Sequence, residues 1–254
     1  MNPNIILVVE TFIAFIIAVT IHEAAHAAMA SALGDSTPVA EGRLSLVPAR
    51  QMAAIGTIVA IVASFGSFAG GLGWGRPVNF DARRMRGNPN VSMILVALAG
   101  PVVNLIFGLV LAVIVSILPG YSSLPLYLAS CGGREGAGLQ SCLSIAQPAG
   151  VLRLDQFLIA LAATSIVLAI VNIIPLHPLD GYKILYALLP SPQAISFRRF
   201  EPYMELTLLI IFFVVPYVLA FINIPFHPID MFVTAANVIV NGIAPNVIAF
   251  YTYL

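Results

Sequence analysis

Residues 22–26 read HEAAH, two histidines four apart with a glutamate beside the first. On a helix, positions i and i+4 share one face and lie one turn apart. Both imidazoles, His22 and His26, therefore reach a single metal ion, and Glu23 stands where it accepts a proton from a metal-bound water. This is the zincin arrangement: two ligands, one base and an open place for water. The alternative is a buried His–Glu–His hydrogen-bond cluster that only ties helices together. From Ile13 to Ala30 every other residue except Thr20 is apolar or small. Ionisable groups in such a run are costly in lipid, so they face a bundle interior and act on something there.

Two histidines leave the site incomplete, because catalytic zinc takes three protein ligands. Both cysteines, Cys131 and Cys142, lie in the loop CGGREGAGLQSC, which the charge distribution below places on the far side of the membrane. A carboxylate or histidine at the cytosolic end of another span is then required. The stretch NIIPLHPLDG at 172–181 supplies Asp180. Pro175 and Pro178 end a long apolar run and free the backbone to turn the carboxylate inward, and Gly181 permits a tight restart. A near copy, NIPFHPID at 223–230, offers Asp230. The run before it travels outward, which places it on the opposite face, and Met231 replaces the glycine. His177 reads either as an alternative ligand or as an interfacial side chain with its polar tip in water. His227 reads as interfacial.

Asn104, in LVALAGPVVNLIFG, and Asn172 also interrupt apolar runs. They are either satisfied amides in a small-residue packing seam or groups that steady a peptide carbonyl during hydrolysis.

The elements that must hold these residues are membrane helices. The chain has 254 residues, 60% hydrophobic and 9% charged, against about 25% charged in a soluble domain. The formal net charge is zero, which argues against a nucleic-acid partner. Apolar segments at roughly 5–31, 52–73, 91–118, 156–176, 205–224 and 231–250 mostly reach the ~20 residues a crossing needs. The expectation is an all-α polytopic membrane protein, 1–254 forming a single integral membrane domain of about five or six helices. The first run is no signal peptide, since no basic residue precedes it and it is too long.

Basic residues orient the chain. Arg43, Arg50, Arg76, Arg83, Arg84, Arg86, Lys183, Arg198 and Arg199 fall in three loops, while only Arg134 and Arg153 fall in 119–155. The positive-inside rule places 119–155 and the amino terminus outside and the other loops in the cytosol, as expected of a multi-pass plasma-membrane protein. Segment 52–73 then cannot cross once. Its glycines suit a re-entrant or interfacial element, tolerated at depth only where protein or water satisfies the backbone. Between the spans, EGRLSLV alternates polar and apolar residues, a strand-like pattern. It reads as a small β-hairpin or as an edge to which an extended substrate adds a strand. Cys131 and Cys142 either close a disulfide across their Gly-rich spacer or remain free thiols.

Taken together, HEAAHAAMASALGD, EGRLSLVP, GWGRPVNFD, ALAGPVVNL and NIIPLHPLDGYKIL resemble the site-2 protease family of intramembrane zinc metalloproteases, in particular its short bacterial branch without a PDZ domain. The resemblance covers about the first three quarters of the chain. It implies Zn2+ held by His22, His26 and Asp180, Glu23 as catalytic base, and a site below the cytosolic membrane surface reached by a polar channel. It also implies cleavage of transmembrane segments of partner proteins, and Asn104 and Asn172 match positions the family commonly fills with Asn. Two departures stand out: ARQMAAIGT follows GRLSLVP where a His-Ile-Asp-Pro-like sequence is expected, and His177 stands where many relatives carry proline or an apolar residue. Neither touches the ligands or the base. Two further classes fit such a chain: a proteolytically silent homologue acting as a membrane scaffold, and a metal or solute transporter. The gathering of polar residues at one predicted depth favours the peptidase.

Overall fold

The computed structural model describes residues 5–65, 73–117 and 154–222, with isolated positions between 226 and 239. The main helices, numbered as introduced, are α1 (Ile5–Leu33), α2 (Ala54–Phe65), α3 (Pro89–Ile117), α4 (Leu154–Val171), α5 (Asp180–Leu188) and α6 (Ser191–Arg198). A seventh, α7, begins at Glu201–Leu209, widens into a π turn at Ile210–Val214 and ends at Val215–Phe221. The widened turn lies just before Pro216, whose missing N–H breaks the regular ladder. Cys131, Cys142, His227 and Asp230 lie outside the described residues.

The architecture follows from lipid as solvent. Apolar side chains gain nothing by hiding from hydrocarbon, so polar ones set which face turns inward. Along α1, Thr20, His22, Glu23 and His26 are buried while Val9 and Ile13 are exposed. On α3, Ser92 and Asn104 are buried and Val102, Val103, Ile106 and Val110 look outward. α1, α3 and α4 pack pairwise into a three-helix core, and α5 lies against α3. Small residues let the axes approach: Ala14, Ala18, Ala160 and Ala162 are all buried at these contacts. Hydroxyls inside the bundle bond back to their own helix. Thr20 Oγ1 donates to the Ile16 carbonyl (2.6 Å) and Ser165 Oγ to that of Leu161 (2.7 Å).

Among the described residues, two helices are long and apolar enough to cross a membrane, Val8–Leu33 and Pro89–Ile117, with Phe157–Val171 a shorter apolar helix. At 29 residues, α3 spans about 44 Å. α2, with 12 residues, spans about 18 Å, less than the ~30 Å of hydrocarbon. The two ends of the segment containing α2 lie side by side. Met52 and Gly75 form an antiparallel bridge, the Arg76 N–H donates to the Gln51 carbonyl at 2.7 Å, and the Gly56 backbone presses on that of Trp74.

The expected β-hairpin is not found. Among the described residues there is no strand, only that isolated bridge. Residues 41–44 are turn and 45–47 irregular. The reason is visible in the hydrogen bonds: Gln51 Nε2 donates to the carbonyls of Arg43 (2.8 Å) and Ser45 (2.7 Å), which a partner strand would otherwise have used. The alternation in EGRLSLV does not sort its side chains by face, since Glu41 and Val47 are exposed and Arg43 alone of the stretch is buried. Arg43 is 4% exposed, and Leu44 and Leu46 are 44% and 66% exposed.

Candidate metal centre

His22 and His26 sit one turn apart on α1, as their spacing requires, with ring centroids 4.6 Å apart and planes at 86°. Asp180 opens α5, immediately after the turn broken by Pro175 and Pro178. The Gly181 N–H donates to the Asn172 carbonyl at 2.7 Å, which anchors that turn to the end of α4. The result brings one carboxylate oxygen of Asp180, Oδ2, to 2.9 Å from Nε2 of both histidines. All three side chains are buried, and their ligand atoms lie within 4.8 Å of one another. Among the described residues no other group of three His, Cys, Asp or Glu side chains converges in this way.

A stripe on α3 forms the wall opposite the histidines. Positions 96, 100 and 104 repeat every four residues and share one face. His26 Nδ1 donates to the Val96 carbonyl at 2.6 Å, and the Asn104 amide lies 3.3 Å from His22 Nδ1. His26 thus pairs with 96 and His22 with 104, so α1 and α3 run antiparallel here. Between them a Cβ on Gly100 would come within 2.5 Å of His26 Nε2 and 2.7 Å of His22 Cε1. Only glycine lets the α3 backbone stand this close to the imidazoles.

The hydrogen bond to Val96 decides the chemistry of His26. A carbonyl only accepts, so Nδ1 carries a proton, which leaves Nε2 as the ring nitrogen placed to ligate a metal. That Nε2 is buried and has no hydrogen-bond partner, although Asp180 Oδ2 is 2.9 Å away. His22 Nε2 lies within hydrogen-bond distance of the same oxygen, so two ring nitrogens and one carboxylate oxygen converge on one point in a buried site. Two imidazole nitrogens and a carboxylate oxygen are a donor set zinc takes, so these residues fit the ion that their types predict. Asn104 completes the logic. Its Oδ1 is buried without a partner, and turning the amide by 180° sets that oxygen against an Nδ1–H of His22, giving both rings the same tautomer.

Glu23 borders the same cleft, a cavity of about 10 Å³ with room for about one water. Gly75 passes so close that any Cβ there would overlap the Glu23 carboxylate. Arg43 Nη2 lies 3.8 Å from Glu23 Oε2, and its guanidinium donates to the carbonyls of Arg50 and Arg76. Arg43, read from sequence as an orienting charge, is inside the site.

The remaining sequence candidates separate. Asn172 lines the cleft, but its Nδ2 donates to the Leu168 carbonyl at 2.8 Å. His177 is not part of the cluster. Its Nε2 lies 3.8 Å from Glu201 Oε1, its ring meets Tyr182 edge-on, and its side chain is 31% exposed, as an interfacial residue would be. Burial, with the hydrogen bond it donates to Glu201, pushes the Tyr182 phenol above its ordinary pKa. Lys183, like Arg43, enters from sequence only as an orienting charge. Its Nζ lies 3.0 Å from Asp180 Oδ1, and the i,i+3 spacing of opposite charges on one helix was the signal for it.

A family model described as Peptidase family M50 matches residues 10–215. The chain is also similar to "Putative zinc metalloprotease YwhC" of Bacillus subtilis (strain 168), 32% identical over 200 residues, covering 79% of this chain and 78% of that protein. No solved structure matches.

Proposed function

The chain belongs to peptidase family M50, and from that membership and the geometry of the cluster we propose that it is a zinc-dependent intramembrane endopeptidase of the HExxH type. One observation carries the reading: Nε2 of His22 and of His26, from one helix, each lie 2.9 Å from Oδ2 of the distant Asp180, with all three side chains buried. His22, His26 and Asp180 hold the metal. A bound zinc ion supplies Lewis acidity, activating water near neutral pH and polarising a peptide carbonyl. Glu23 takes the proton of the attacking water and delivers it to the leaving amine. Asn104 holds His22 in its working tautomer, and Asn172, on the cleft wall, is placed to meet the substrate carbonyl.

The substrate class follows from where the cluster sits. His26 and His22 are 7 and 11 residues before the end of α1 at Leu33, about 10–17 Å along the axis. With that end cytosolic, the metal lies below the inner membrane surface in a multi-pass plasma-membrane protein whose amino terminus is outside. The adjoining ends of the α2 segment support a re-entrant path rather than a crossing, and the whole of 1–254 acts as one membrane domain. Substrates are transmembrane segments of partner proteins. Helical carbonyls are occupied by backbone hydrogen bonds, so small or helix-breaking residues near the cleavage point promote turnover.

Zinc content of the purified wild type and of Asp180→Ala tests the reading, alongside cleavage of a transmembrane substrate. The expected result is one zinc per wild-type chain, essentially none in the variant, and cleavage only by the former. A zinc-free wild type, or an Asp180→Ala protein that keeps its metal and its turnover, defeats it.

A further inference from the structure

The two oxygens of Asp180 are divided between different partners. Oδ2 lies 2.9 Å from both imidazole Nε2 atoms, while Oδ1 receives a hydrogen bond from Lys183 Nζ at 3.0 Å. Asp180 is 4% exposed at the side chain and Lys183 25%, and both line the cleft that Glu23 also borders. A carboxylate free on both oxygens can swing to offer them to a metal together. One whose second oxygen is committed to an ammonium group offers a single oxygen. Lysine three residues into a helix is otherwise badly placed, because the positive end of the helix dipole repels it. Its position is explained by the carboxylate it meets.

We propose that Lys183 is a positioning residue that restrains Asp180 to ligation through Oδ2 alone and so keeps a coordination place open for water beside Glu23. This rests on the metalloprotease reading above. Three single-atom donors leave a fourth place free in a tetrahedral site, as catalytic zinc requires. A two-oxygen aspartate would add a fifth donor and crowd the water. Outer partners of metal ligands tune affinity as well as geometry. Lys183 thus acts on the metal site through Asp180 rather than on the substrate.

The test uses the full chain in detergent, stripped with a chelator and titrated separately with zinc and with cobalt(II). Cobalt reports ligand number directly, because its visible absorption is strong with four ligands and weaker with five. Lys183→Met is expected to weaken zinc binding about 10–100-fold and to lower the cobalt band. Lys183→Arg, which keeps a donor for Oδ1, is expected to hold the wild-type band. Lys183→Gln carries the same expectation as Lys183→Met and replaces it if that protein does not purify as a single species. Wild-type affinity and an unchanged cobalt spectrum in both neutral variants overturn the proposal while leaving the three-ligand site intact. A wild type that binds neither metal overturns the site itself, and this inference with it.

Discussion

Two aspartates are buried to nearly the same extent in this chain, Asp35 at 1% exposure and Asp180 at 3%, and their oxygens are used in different ways. Asp35 lies just past the end of α1 and is surrounded by donors. Its Oδ1 accepts from the Thr37 N–H (3.0 Å) and hydroxyl (2.6 Å), and its Oδ2 accepts from the Asp81 N–H (2.7 Å). Asp180 turns Oδ2 toward two imidazole nitrogens, 2.9 Å from each, and gives Oδ1 to Lys183. Burial alone therefore says little about role. A carboxylate whose lone pairs meet protein donors is holding the fold together, here by joining the turn after α1 to the loop before α3. One that brings a single oxygen to two imidazoles held by another helix belongs to a set of side chains able to bind a metal.

The contrast can be broken or sharpened by substitution. Glu23→Gln leaves both aspartates and both histidines in place while removing the proton acceptor, so zinc content should stay at the wild-type level. Turnover of a transmembrane substrate should fall about 10²–10⁴-fold; zinc-dependent turnover at the wild-type rate would remove Glu23 from the reaction. Asn104→Ala deletes the amide beside His22 and should weaken zinc binding about 10–100-fold, measured by competition with a chelator. Gly100→Ala drives a methyl group into the imidazoles and should lower metal affinity as well; unchanged binding would mean that α3 can back away from α1.

Asp35→Ala should behave as the opposite case. It strands two backbone N–H groups, at Thr37 and Asp81, and should cost about 1–3 kcal/mol of stability with no loss of zinc per folded chain. Metal loss in that variant, at full folding, would erase the distinction between the two aspartates. The smallest effect is on acid stability. Burial pushes the Asp35 carboxyl up, but the hydrogen bonds from Thr37 and Asp81 outweigh it, helped by Arg84, and hold its pKa below the ordinary value. A depressed folded pKa means the contribution is fully present above the unfolded carboxyl value, about 3.9, and is lost as pH falls through the folded value. The difference in melting temperature between wild type and Asp35→Ala should stay constant from neutral pH to about 4 and shrink below that. A difference that grew on acidification would contradict the sign.

Much of the site is legible along the chain because α-helical spacing is a local property. His22 and His26 share a face for no reason beyond their separation of four, and the proline-broken turn before Asp180 follows from Pro175 and Pro178. The misreadings have a common cause. Alternation of polar and apolar residues in EGRLSLV suggests a strand, but the segment is turn and irregular backbone, and Gln51 satisfies carbonyls that a hairpin would have paired. Arg43, an orienting charge by sequence, is buried and reaches within 3.8 Å of Glu23, a contact made across segments that local pattern does not encode.

What the sequence by itself determined is that lipid is the solvent, that the ionisable groups of the first apolar run must turn away from it, and that two imidazoles and one glutamate arrive together. Tertiary structure alone decided what those groups meet. The Val96 carbonyl that sets the tautomer of His26 is 70 residues away, and the carboxylate that faces both rings is 158 residues from His22. The split of that carboxylate's oxygens depends on where α5 packs. Backbone geometry carries information over one helical turn, while hydrogen-bond partners across segments exist only once the helices have closed against one another.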